Sequence, residues 1–520
     1  MHINGRCVGI HRGGYDPFSF DITACLNDNG NQEIILEVWD PGNEMAVATG
    51  KQSNDRFSDP HGYSYCPSSG VWQTVWLEPV PEISIADIKI VPNLDEGRVS
   101  VHVIPSRPDA GTTVEAVVRE GGQTIGREPG KCFDELVIMV PNPRPWSPQS
   151  LFLYDLDISI KDASGTVDQV SSYFGMRKIS LGKVKGLRRI FLNNAFLFQI
   201  GPLDQGFWPD GLYTAPPDDA LRWDISMMKE FGYNMVRKHV KVEPQRWYYW
   251  CDKLGLLVWQ DMPGTWGTRS EEEKTQFEME LDRMVRTHWN HPCIIDWVVF
   301  NEHWGLYDTE RHAGKVMMLD PSRLVTGNSG VDAGRPEIDY EVGHIVDNHS
   351  YRPPAYPFAS DLRANVCGEY GAIGYKVNDH IWDPGGPWVH DTYRNADEAT
   401  AEYERFVQML IKFQENGLSA AVYTQWTDVE NEMNGIYTYD RKVVKLHKNR
   451  VLKANRSTYE GAVSIPTKGG HGAAGFTVPS SEPKKGDECS PYSIGRGNVL
   501  GISSGKGLDT KPTKKPEKQI

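Results

Sequence analysis

The chain reads Ile294-Ile295-Asp296-Trp297-Val298-Val299-Phe300 and continues directly into Asn301-Glu302-His303-Trp304. A run of seven residues that is almost entirely apolar predicts a strand buried on both faces, as in a sheet covered by helices. The polar residues that follow lie where this strand ends. The stretch therefore predicts a buried strand that places Asn301 and Glu302 at its carboxyl end.

Seven further short apolar runs alternate with helix-length amphipathic segments on either side of this stretch. The predicted strands are residues 197–200, 234–238, 256–260, 294–300, 324–326, 345–348, 365–367 and 420–423. One helix carries Leu221, Ile225 and Met228 on one face, and another runs from Pro244 to Gly255. Eight strand–helix units predict a (β/α)8 TIM barrel over residues 184–461.

The residues before the barrel predict two β-sandwich domains. In residues 1–81 we expect strands at 18–22, 33–39 and 71–77, about half of a usual sandwich, so we interpret this part as a partial jelly-roll with an N-terminal portion missing. Residues 82–183 predict an immunoglobulin-like sandwich. Its expected strands are residues 83–91, 98–104, 113–119, 134–140 and 153–161.

The last part of the chain, residues 462–520, is rich in Gly, Ser, Lys and Pro. This composition predicts a disordered low-complexity tail. The fold class expected for the whole chain is therefore multidomain, with a partial β-sandwich, an immunoglobulin-like β-sandwich and a TIM barrel.

Charge and composition exclude several classes of function. The 520 residues include 55 basic and 69 acidic side chains, a net charge of −14, which argues against nucleic acid as a partner. No apolar run is long enough to predict a membrane span, and the first residues predict no signal peptide. The eight scattered cysteines are expected to be free thiols, which slightly favours the cytoplasm and leaves the compartment unknown. No zinc-ligand spacing is visible.

Two glutamates follow predicted barrel strands, Glu302 after the fourth and Glu369 after the seventh. Reactive side chains of such barrels project from the carboxyl ends of the strands. Two carboxyl groups about 5–5.5 Å apart hydrolyse glycosides with retention of configuration, one as acid/base and one as nucleophile. We assign these roles to Glu302 and Glu369, although a single glutamate after a strand is more often a solvated loop residue or a helix cap.

Several segments together resemble glycoside hydrolase family 2, which includes β-galactosidases, β-glucuronidases and β-mannosidases. The resemblance covers roughly residues 5–457. The segments that carry it are His11–Phe18, Ser69–Trp76, Asn234–His239, Asn301-Glu302 and Glu369-Tyr370-Gly371.

The resemblance implies further roles in binding a carbohydrate. Asn301 would contact the sugar 2-hydroxyl, Arg237 would orient Glu369 and keep it ionised, and Tyr370 would donate a hydrogen bond to Glu369. Structural alternatives stay open for Arg237, which could instead form a structural salt bridge inside the barrel, and for the remaining candidates. These candidates are His349 and Asp204 as hydroxyl contacts, Asp261 and Asp428 as further hydroxyl contacts or caps, and Trp426 as a stacking platform, with Trp304, Trp382 and Trp388 as substitutes.

Two departures from the family pattern argue against a glucuronide substrate and against a required metal. The Asn-x-Lys clamp of the glucuronidase branch is replaced by Asn431-Glu432-Met433-Asn434-Gly435, and the third strand ends Gln260-Asp261-Met262-Pro263 without the magnesium ligands of the large β-galactosidases. We therefore expect neither metal nor other cofactor. The expected function is that of a retaining exo-β-glycosidase that resembles β-galactosidases. The sequence leaves open whether the chain forms a homo-oligomer. The alternative is a non-catalytic carbohydrate-binding fragment of the same fold.

Overall fold

The computed structural model describes residues 1–57, 62–107, 111–330, 339–357, 360–386 and 391–460. The predicted low-complexity tail, residues 462–520, lies outside the described residues. None of the helices in the described part of the chain is long and apolar enough to cross a membrane.

The N-terminal segment has little regular structure. It contains the strands β1 (His2–Ile3), β2 (Arg6–Cys7) and β3 (Ile34–Ile35), which form a small antiparallel sheet, and three short 3-10 helices. The strands expected at residues 18–22 and 71–77 are wrong, and of residues 33–39 only β3 is extended and paired. Several of their apolar side chains are exposed to solvent, with Trp39 75% and Leu77 58% exposed. An alternating pattern forms a strand only where a neighbouring strand accepts its backbone hydrogen bonds.

Residues 85–174 form a sandwich of two antiparallel sheets, with strand orders β4-β5-β8 and β10-β9-β6-β7. The strands are β4 (Ile85–Asn93), β5 (Arg98–Pro105), β6 (Thr113–Glu120), β7 (Gln123–Lys131), β8 (Glu135–Met139), β9 (Tyr154–Asp162) and β10 (Gly165–Phe174). The five expected strands are present, while β7 and β10 were not predicted. The polar edge strand β7 contains Pro129. An edge strand tolerates proline because the backbone positions on its outer side have no neighbouring strand to which an N–H group would donate.

A hairpin of β11 (Ile179–Val184), β12 (Leu187–Leu192) and β13 (Ala195–Phe196) leads from the sandwich into the barrel. Arg189 of β12 donates a hydrogen bond to the Leu418 carbonyl oxygen, and Arg177 donates one to that of Ile294. Both acceptors lie where barrel strands begin. The sandwich and hairpin therefore contact the amino ends of the barrel strands and leave the carboxyl ends for a site.

The barrel consists of eight parallel strands in the order β18-β17-β16-β15-β14-β23-β20-β19. These strands are β14 (Gln199–Asp204), β15 (Met235–Lys238), β16 (Leu257–Asp261), β17 (Ile294–Asn301), β18 (Leu324–Ser329), β19 (Ile345–Ser350), β20 (Ala364–Gly371) and β23 (Leu418–Thr424). All eight strands were predicted. The end strands β18 and β19 are adjacent, and a hydrogen bond from Ser329 to Asp347 joins them.

The helices pack outside this barrel, where their apolar faces cover the strands. They are α1 (Asp218–Glu230), α2 (Gln245–Leu254), α3 (Glu271–His288), α4 (Thr309–Leu319), α5 (Ala396–Glu415) and α6 (Lys448–Ser457). The short strands β21 (Ile373–Tyr375) and β22 (Asp391–Tyr393) form a separate pair. The boundaries of α2 agree with the prediction: it follows Pro244 and ends at Gly255, whose φ of +70° closes the helix. A capping box of Ser270 and Glu273 begins α3.

Candidate active site

Glu302 and Glu369 meet at the carboxyl end of the barrel. Glu302 directly follows β17, where its backbone N–H donates to the Ser329 carbonyl oxygen at 2.8 Å, and Glu369 lies in β20. One carboxylate oxygen of each glutamate and one ring nitrogen of His349 all lie within 4.8 Å of one another. The side chain of Glu302 is 37% exposed and that of Glu369 only 6%. Glu302 is therefore the more accessible of the two carboxylates, and Glu369 is the more buried.

His349, at the carboxyl end of β19, lies between the two glutamates. Its Nδ1 is 2.7 Å from Glu302 Oε1 and 3.6 Å from Glu369 Oε1, and its Nε2 is 2.8 Å from Ser329 Oγ. Ser329 in turn donates its hydroxyl hydrogen to Asp347. This chain of contacts fixes the orientation of the imidazole ring against Glu302.

The contact with His349 also sets the protonation of Glu302. Burial raises the pKa of Glu302. The hydrogen bond and positive charge of His349, with smaller contributions from Lys51 and Arg237, outweigh burial, so the pKa of Glu302 lies below its usual value. Burial lowers the pKa of His349, but the two carboxylates outweigh burial and raise it. Both directions favour a proton on His349 over a proton on Glu302.

Arg237, at the end of β15, holds three groups of this site in place. Its Nη1 donates to Glu369 Oε1 at 3.2 Å, its Nη2 donates to Asn301 Oδ1 at 2.7 Å, and its Nη2 and Nε donate to Asp261 at 2.9 and 3.1 Å. The guanidinium is fully buried. Burial raises the pKa of Asp261 to about 6 although Arg237 opposes this effect. The guanidinium thus orients the Glu369 and Asn301 side chains together.

Asn301 ends β17, and its side chain shares the Arg237 guanidinium with Glu369. Arg237 fixes its oxygen, while its amide nitrogen Nδ2 is buried and has no hydrogen-bond partner among the described residues. Buried polar groups are normally hydrogen-bonded. The orphaned N–H group is a donor that a bound hydroxyl would satisfy.

Tyr351, and not Tyr370 as the sequence predicts, is the tyrosine that donates a hydrogen bond to Glu369. The Tyr370 ring is buried against Phe406 and Tyr423, because consecutive residues of a strand point to opposite faces and Glu369 takes the inner one. The phenol of Tyr351, just beyond β19, instead donates a hydrogen bond to Glu369 Oε2. The predicted role of Tyr370 is therefore wrong.

Trp426 and Asp204 are also placed differently from the prediction. Trp426 is fully buried, packs on Phe231 and Tyr437, and donates its indole N–H to Asp224 of α1 at 3.2 Å, so no ring face is open to a sugar. Asp204 accepts a hydrogen bond from Lys238 Nζ at 2.5 Å.

The two other aspartates predicted beside it are likewise paired. Asp261 is bound by Arg237, as described above, and Asp428 accepts a hydrogen bond from Lys445 Nζ at 2.6 Å. Asp204, Asp261 and Asp428 are therefore structural ion-pair partners in this conformation rather than hydroxyl contacts.

The alternative tryptophans lie in different surroundings. Trp304 packs against Trp266 with ring centroids 4.1 Å apart and the ring planes tilted by 42°, and Trp382 packs edge-on against Tyr439. Trp388 lies outside the described residues.

A buried network that the sequence pattern does not predict extends from Glu369 to the N-terminal segment. His239 Nε2 lies 3.5 Å from Glu369 Oε1, and Lys51 Nζ lies 3.7 Å from Glu432 Oε2. Hydrogen bonds join these ends through Gln205, Gln425, Asn434, Glu432 and Tyr65. The local sequence around Lys51 does not indicate its role, because more than 200 residues of chain separate Lys51 from Glu302 and from Glu432.

Three side chains could hold a metal ion in the described part of the site: Glu302, His349 and Glu369. Two carboxylates and one imidazole form a donor set that suits a first-row divalent ion. The same three groups are the ones on which glycoside hydrolysis would depend.

Two family models match the chain. The model described as "Glycosyl hydrolases family 2, TIM barrel domain" matches residues 215–371, and the model described as "Glycosyl hydrolases family 2" matches residues 83–177. The first segment contains Arg237, Glu302, His349 and Glu369. The second corresponds to most of the antiparallel sandwich.

Individual relatives agree with these matches. A protein of Formosa agariphila named "Putative beta-glucuronidase" is 26% identical over 416 residues, which are 74% of this chain and 48% of that protein. A "Beta-galactosidase" of Thermoanaerobacter pseudethanolicus is 25% identical over 63% of this chain and 44% of its own length. This chain thus spans about half the length of these relatives. A crystal structure of a Bacteroides uniformis β-glucuronidase shares the fold, with a TM-score of 0.66, 18% identity, and coverage of 88% of this chain and 60% of that chain.

Proposed function

The chain belongs to glycoside hydrolase family 2, and we propose that it hydrolyses terminal β-linked sugars with retention of configuration. One observation carries the proposal: the carboxylates of Glu302 and Glu369, which are separated by 66 residues of sequence, lie with His349 inside 4.8 Å. A separation near 5 Å places one carboxylate within reach of the anomeric carbon and the other within reach of the glycosidic oxygen.

The proposed reaction has two displacements. In the first, the Glu369 carboxylate attacks the anomeric carbon, the glycosidic C–O bond breaks, and the proton of Glu302 goes to the leaving oxygen. In the second, Glu302 takes a proton from water, the water oxygen attacks the anomeric carbon, and the ester bond to Glu369 breaks. Arg237 and Tyr351 hold Glu369 as the attacking carboxylate.

His349 is proposed to supply the proton that Glu302 needs. The unliganded pair holds one proton on the imidazole, and the 2.7 Å contact allows its transfer to Glu302 when a glycosidic oxygen is bound. The Nδ2 group of Asn301 is proposed to bind the sugar 2-hydroxyl, where a hydrogen bond contributes most in the transition state.

We propose a neutral sugar, β-galactoside-like, as the glycone. Arg237 and Lys51, two cations beside the site, already have carboxylate partners, since Arg237 pairs with Asp261 and Glu369, and Lys51 pairs with Glu432. A substrate carboxylate would have to compete with them, whereas buried carboxylates readily accept hydrogen bonds from sugar hydroxyls.

A β-glucuronide is the second candidate, and it rests on Lys51. The ammonium of this buried lysine lies 3.7 Å from Glu432 Oε2 and near enough to Glu302 to lower its pKa. The Glu432 contact is long for a charged hydrogen bond, so a substrate carboxylate could replace it.

A panel of 4-nitrophenyl β-glycosides tests both candidates. We expect the highest kcat/KM on the β-galactoside, and loss of turnover in Glu369→Gln. A preference for the β-glucuronide that disappears in Lys51→Met would favour the second candidate. Binding of a glycoside with no turnover of any member would favour the non-catalytic alternative.

A further inference from the structure

Two buried polar side chains, Ser329 and Asp347, lie behind the imidazole of His349. Asp347 and His349 are two residues apart in β19, so their side chains share one face of the strand, and Ser329 ends the neighbouring strand β18. Ser329 and Asp347 are 0% and 1% exposed. Ser329 contacts the ring nitrogen opposite the one that contacts Glu302.

The hydroxyl of Ser329 has one hydrogen, and Asp347 takes it. A carboxylate accepts hydrogen bonds and does not donate them, and Oδ2 of Asp347 accepts this one. The Ser329 oxygen then presents a lone pair to His349, whose Nε2 lies 2.8 Å away. This contact is a hydrogen bond only if Nε2 carries a hydrogen. Asp347 and Ser329 therefore fix one hydrogen of the imidazole on Nε2.

Arg237 is the other neighbour of the His349 Nε2 atom. Its Nη1 lies 3.3 Å from Nε2, and an arginine nitrogen only donates hydrogen bonds. The two hydrogens of Nη1 have oxygen acceptors, the Gly368 carbonyl oxygen and Glu369 Oε1, each at 3.2 Å. No hydrogen of Nη1 remains for the ring nitrogen, so Ser329 is the hydrogen-bond partner of Nε2.

Two glycines allow these groups to approach closely. Gly368 donates its backbone N–H to Asp347 Oδ1 at 2.5 Å, and a Cβ at this position would lie 2.1 Å from Asp347 Oδ2. At Gly330, whose φ is +90°, a Cβ would lie 2.9 Å from His349 Nδ1 and 3.1 Å from Glu302 Cγ. A side chain at either position would displace the carboxylate or the imidazole.

A protonated imidazole has two N–H groups, and each of them needs an acceptor where the ring is buried. Glu302 accepts from Nδ1 of His349 at 2.7 Å, and Ser329 accepts from Nε2. The acceptor at Nε2 stays in place when the proton on Nδ1 leaves. The ring can therefore pass a proton to Glu302 and remain a neutral imidazole with its hydrogen on Nε2.

We propose that Asp347 and Ser329 are positioning residues for the acid step. They keep one hydrogen of His349 on Nε2, so that the proton on Nδ1 is the one delivered to Glu302. In the first displacement this proton moves from Nδ1 to Glu302 and from there to the leaving oxygen. In the second, Glu302 takes a proton from water and the proton returns to Nδ1. The inference rests on the proposed function, because it requires Glu302 to protonate the leaving oxygen.

The substitution Asp347→Asn reverses the hydrogen bonds while it keeps the shape of the side chain. The Gly368 N–H still needs an oxygen, so the amide turns its NH2 group toward Ser329. The serine oxygen accepts from this group, and its own hydrogen goes to Nε2 of His349. The imidazole then holds its single hydrogen on Nδ1 and has no second proton to deliver.

Kinetics with two leaving groups separate proton delivery from folding. The substrates are the phenyl β-glycoside and the β-glycosyl fluoride of the sugar that the panel selects, because phenol needs a proton to leave and fluoride does not. At neutral pH we expect Asp347→Asn to lower kcat/KM on the phenyl glycoside about 100-fold, within the contribution of a general acid. Ser329→Ala removes one charge-assisted acceptor, and its expected loss is about tenfold. The kcat/KM of both variants on the fluoride should equal that of the parent chain.

Ser419→Ala is the matched control for Ser329→Ala. Ser419 is likewise a fully buried serine of a barrel strand, and its hydroxyl donates to the Gly417 carbonyl oxygen at 3.4 Å. This variant should leave both activities unchanged. Equal losses on the phenyl glycoside and the fluoride in Asp347→Asn and Ser329→Ala would indicate a purely structural role and overturn the inference.

The ring nitrogens of His349 give a readout that does not depend on turnover. With ¹⁵N-labelled histidine, the NMR signals of His349 are those lost in His349→Gln. We expect a protonated Nε2 in the parent chain and an unprotonated Nε2 in Asp347→Asn. An unprotonated Nε2 in the parent chain would overturn the inference.

The two proposals fail in different ways. A parent chain that hydrolyses neither substrate contradicts the proposed function, and with it the acid step that Asp347 and Ser329 would serve. An active parent chain whose Asp347→Asn variant keeps full activity on the phenyl glycoside contradicts only the inference.

Discussion

Glu302 and His349 are joined by a contact of 2.7 Å between Oε1 and Nδ1, and the histidine also lies 3.6 Å from Glu369. The sequence predicts a raised pKa for the acid Glu302, with the neighbouring ionised nucleophile supplying part of the shift. The structure instead shows a pKa of Glu302 held low by His349 and a pKa of His349 held high by the two carboxylates. In the proposed mechanism, this pair of side chains holds the proton that goes to the leaving group.

The first prediction concerns the pH dependence of kcat/KM. The pair loses its last proton as pH rises through the raised pKa of His349, so the alkaline limb of the profile should lie above the ordinary histidine value of about 6.5. In His349→Gln, Glu302 titrates alone and the limb should move to lower pH. An alkaline limb that stays in place would contradict the shared proton.

The same pair predicts a pH-dependent stability. The raised pKa of His349 stabilises the fold below about pH 6.5, and this stabilisation is lost as pH rises through the pKa that His349 has in the folded protein. The lowered pKa of Glu302 stabilises the fold above about pH 4.3. The difference in unfolding free energy between the parent chain and His349→Gln should therefore be largest between these two pH values. Urea titrations at several pH values would measure it, and a pH-independent difference would refute the ion pair.

Arg237→Met should reduce both stability and activity. The change leaves Asp261 and Glu369 buried without their cation, and breaking a buried ion pair costs about 3–5 kcal/mol. Arg237→Lys keeps the charge but cannot make the forked contacts to Asp261, Asn301 and Glu369, so it should recover stability more than kcat. Equal recovery of both quantities would show that the fork does not position Glu369.

Glu302→Gln should slow hydrolysis of glycosides with poor leaving groups by roughly 10³-fold, the contribution of a general acid. Substrates with good leaving groups should still glycosylate Glu369, and added azide should accelerate release of the trapped sugar because it needs no general base. The product with azide, identified by NMR, should be a β-glycosyl azide. An α-glycosyl azide, or no rescue at all, would reject the assignment of acid/base to Glu302.

Trp426→Ala should lower the unfolding free energy by about 3–5 kcal/mol, since it removes a fully buried indole. Trp426→Phe should retain much of the stability and leave the KM for nitrophenyl glycosides unchanged. A large increase in KM with unchanged stability would restore the stacking role that the sequence suggested.

The barrel could be predicted because its strands are buried on both faces and therefore read as short apolar runs. Helix boundaries such as Pro244 and Gly255 could be predicted from backbone constraints alone. The strand predictions in residues 18–22 and 71–77 failed because an alternating pattern does not show whether a partner strand exists.

The convergence of Glu302, Glu369 and Arg237 could be predicted because strand ends determine the positions of these residues. Lys51 and Tyr351 could not be found, because their contacts depend on how distant loops fold over the barrel. Trp426 follows a strand end as the other candidates do, yet its side chain turns toward α1. Side-chain direction beyond a strand end is not encoded in the local pattern.

Trapping with a 2-deoxy-2-fluoro-β-glycosyl fluoride tests the central claim most directly. The 2-fluoro group slows both displacements and the fluoride leaving group restores the first, so a covalent glycosyl-enzyme accumulates. Peptide mapping by mass spectrometry should place one sugar on Glu369, with no adduct in Glu369→Gln. An adduct on another residue, or an unmodified chain that still hydrolyses the parent glycoside, would contradict the account.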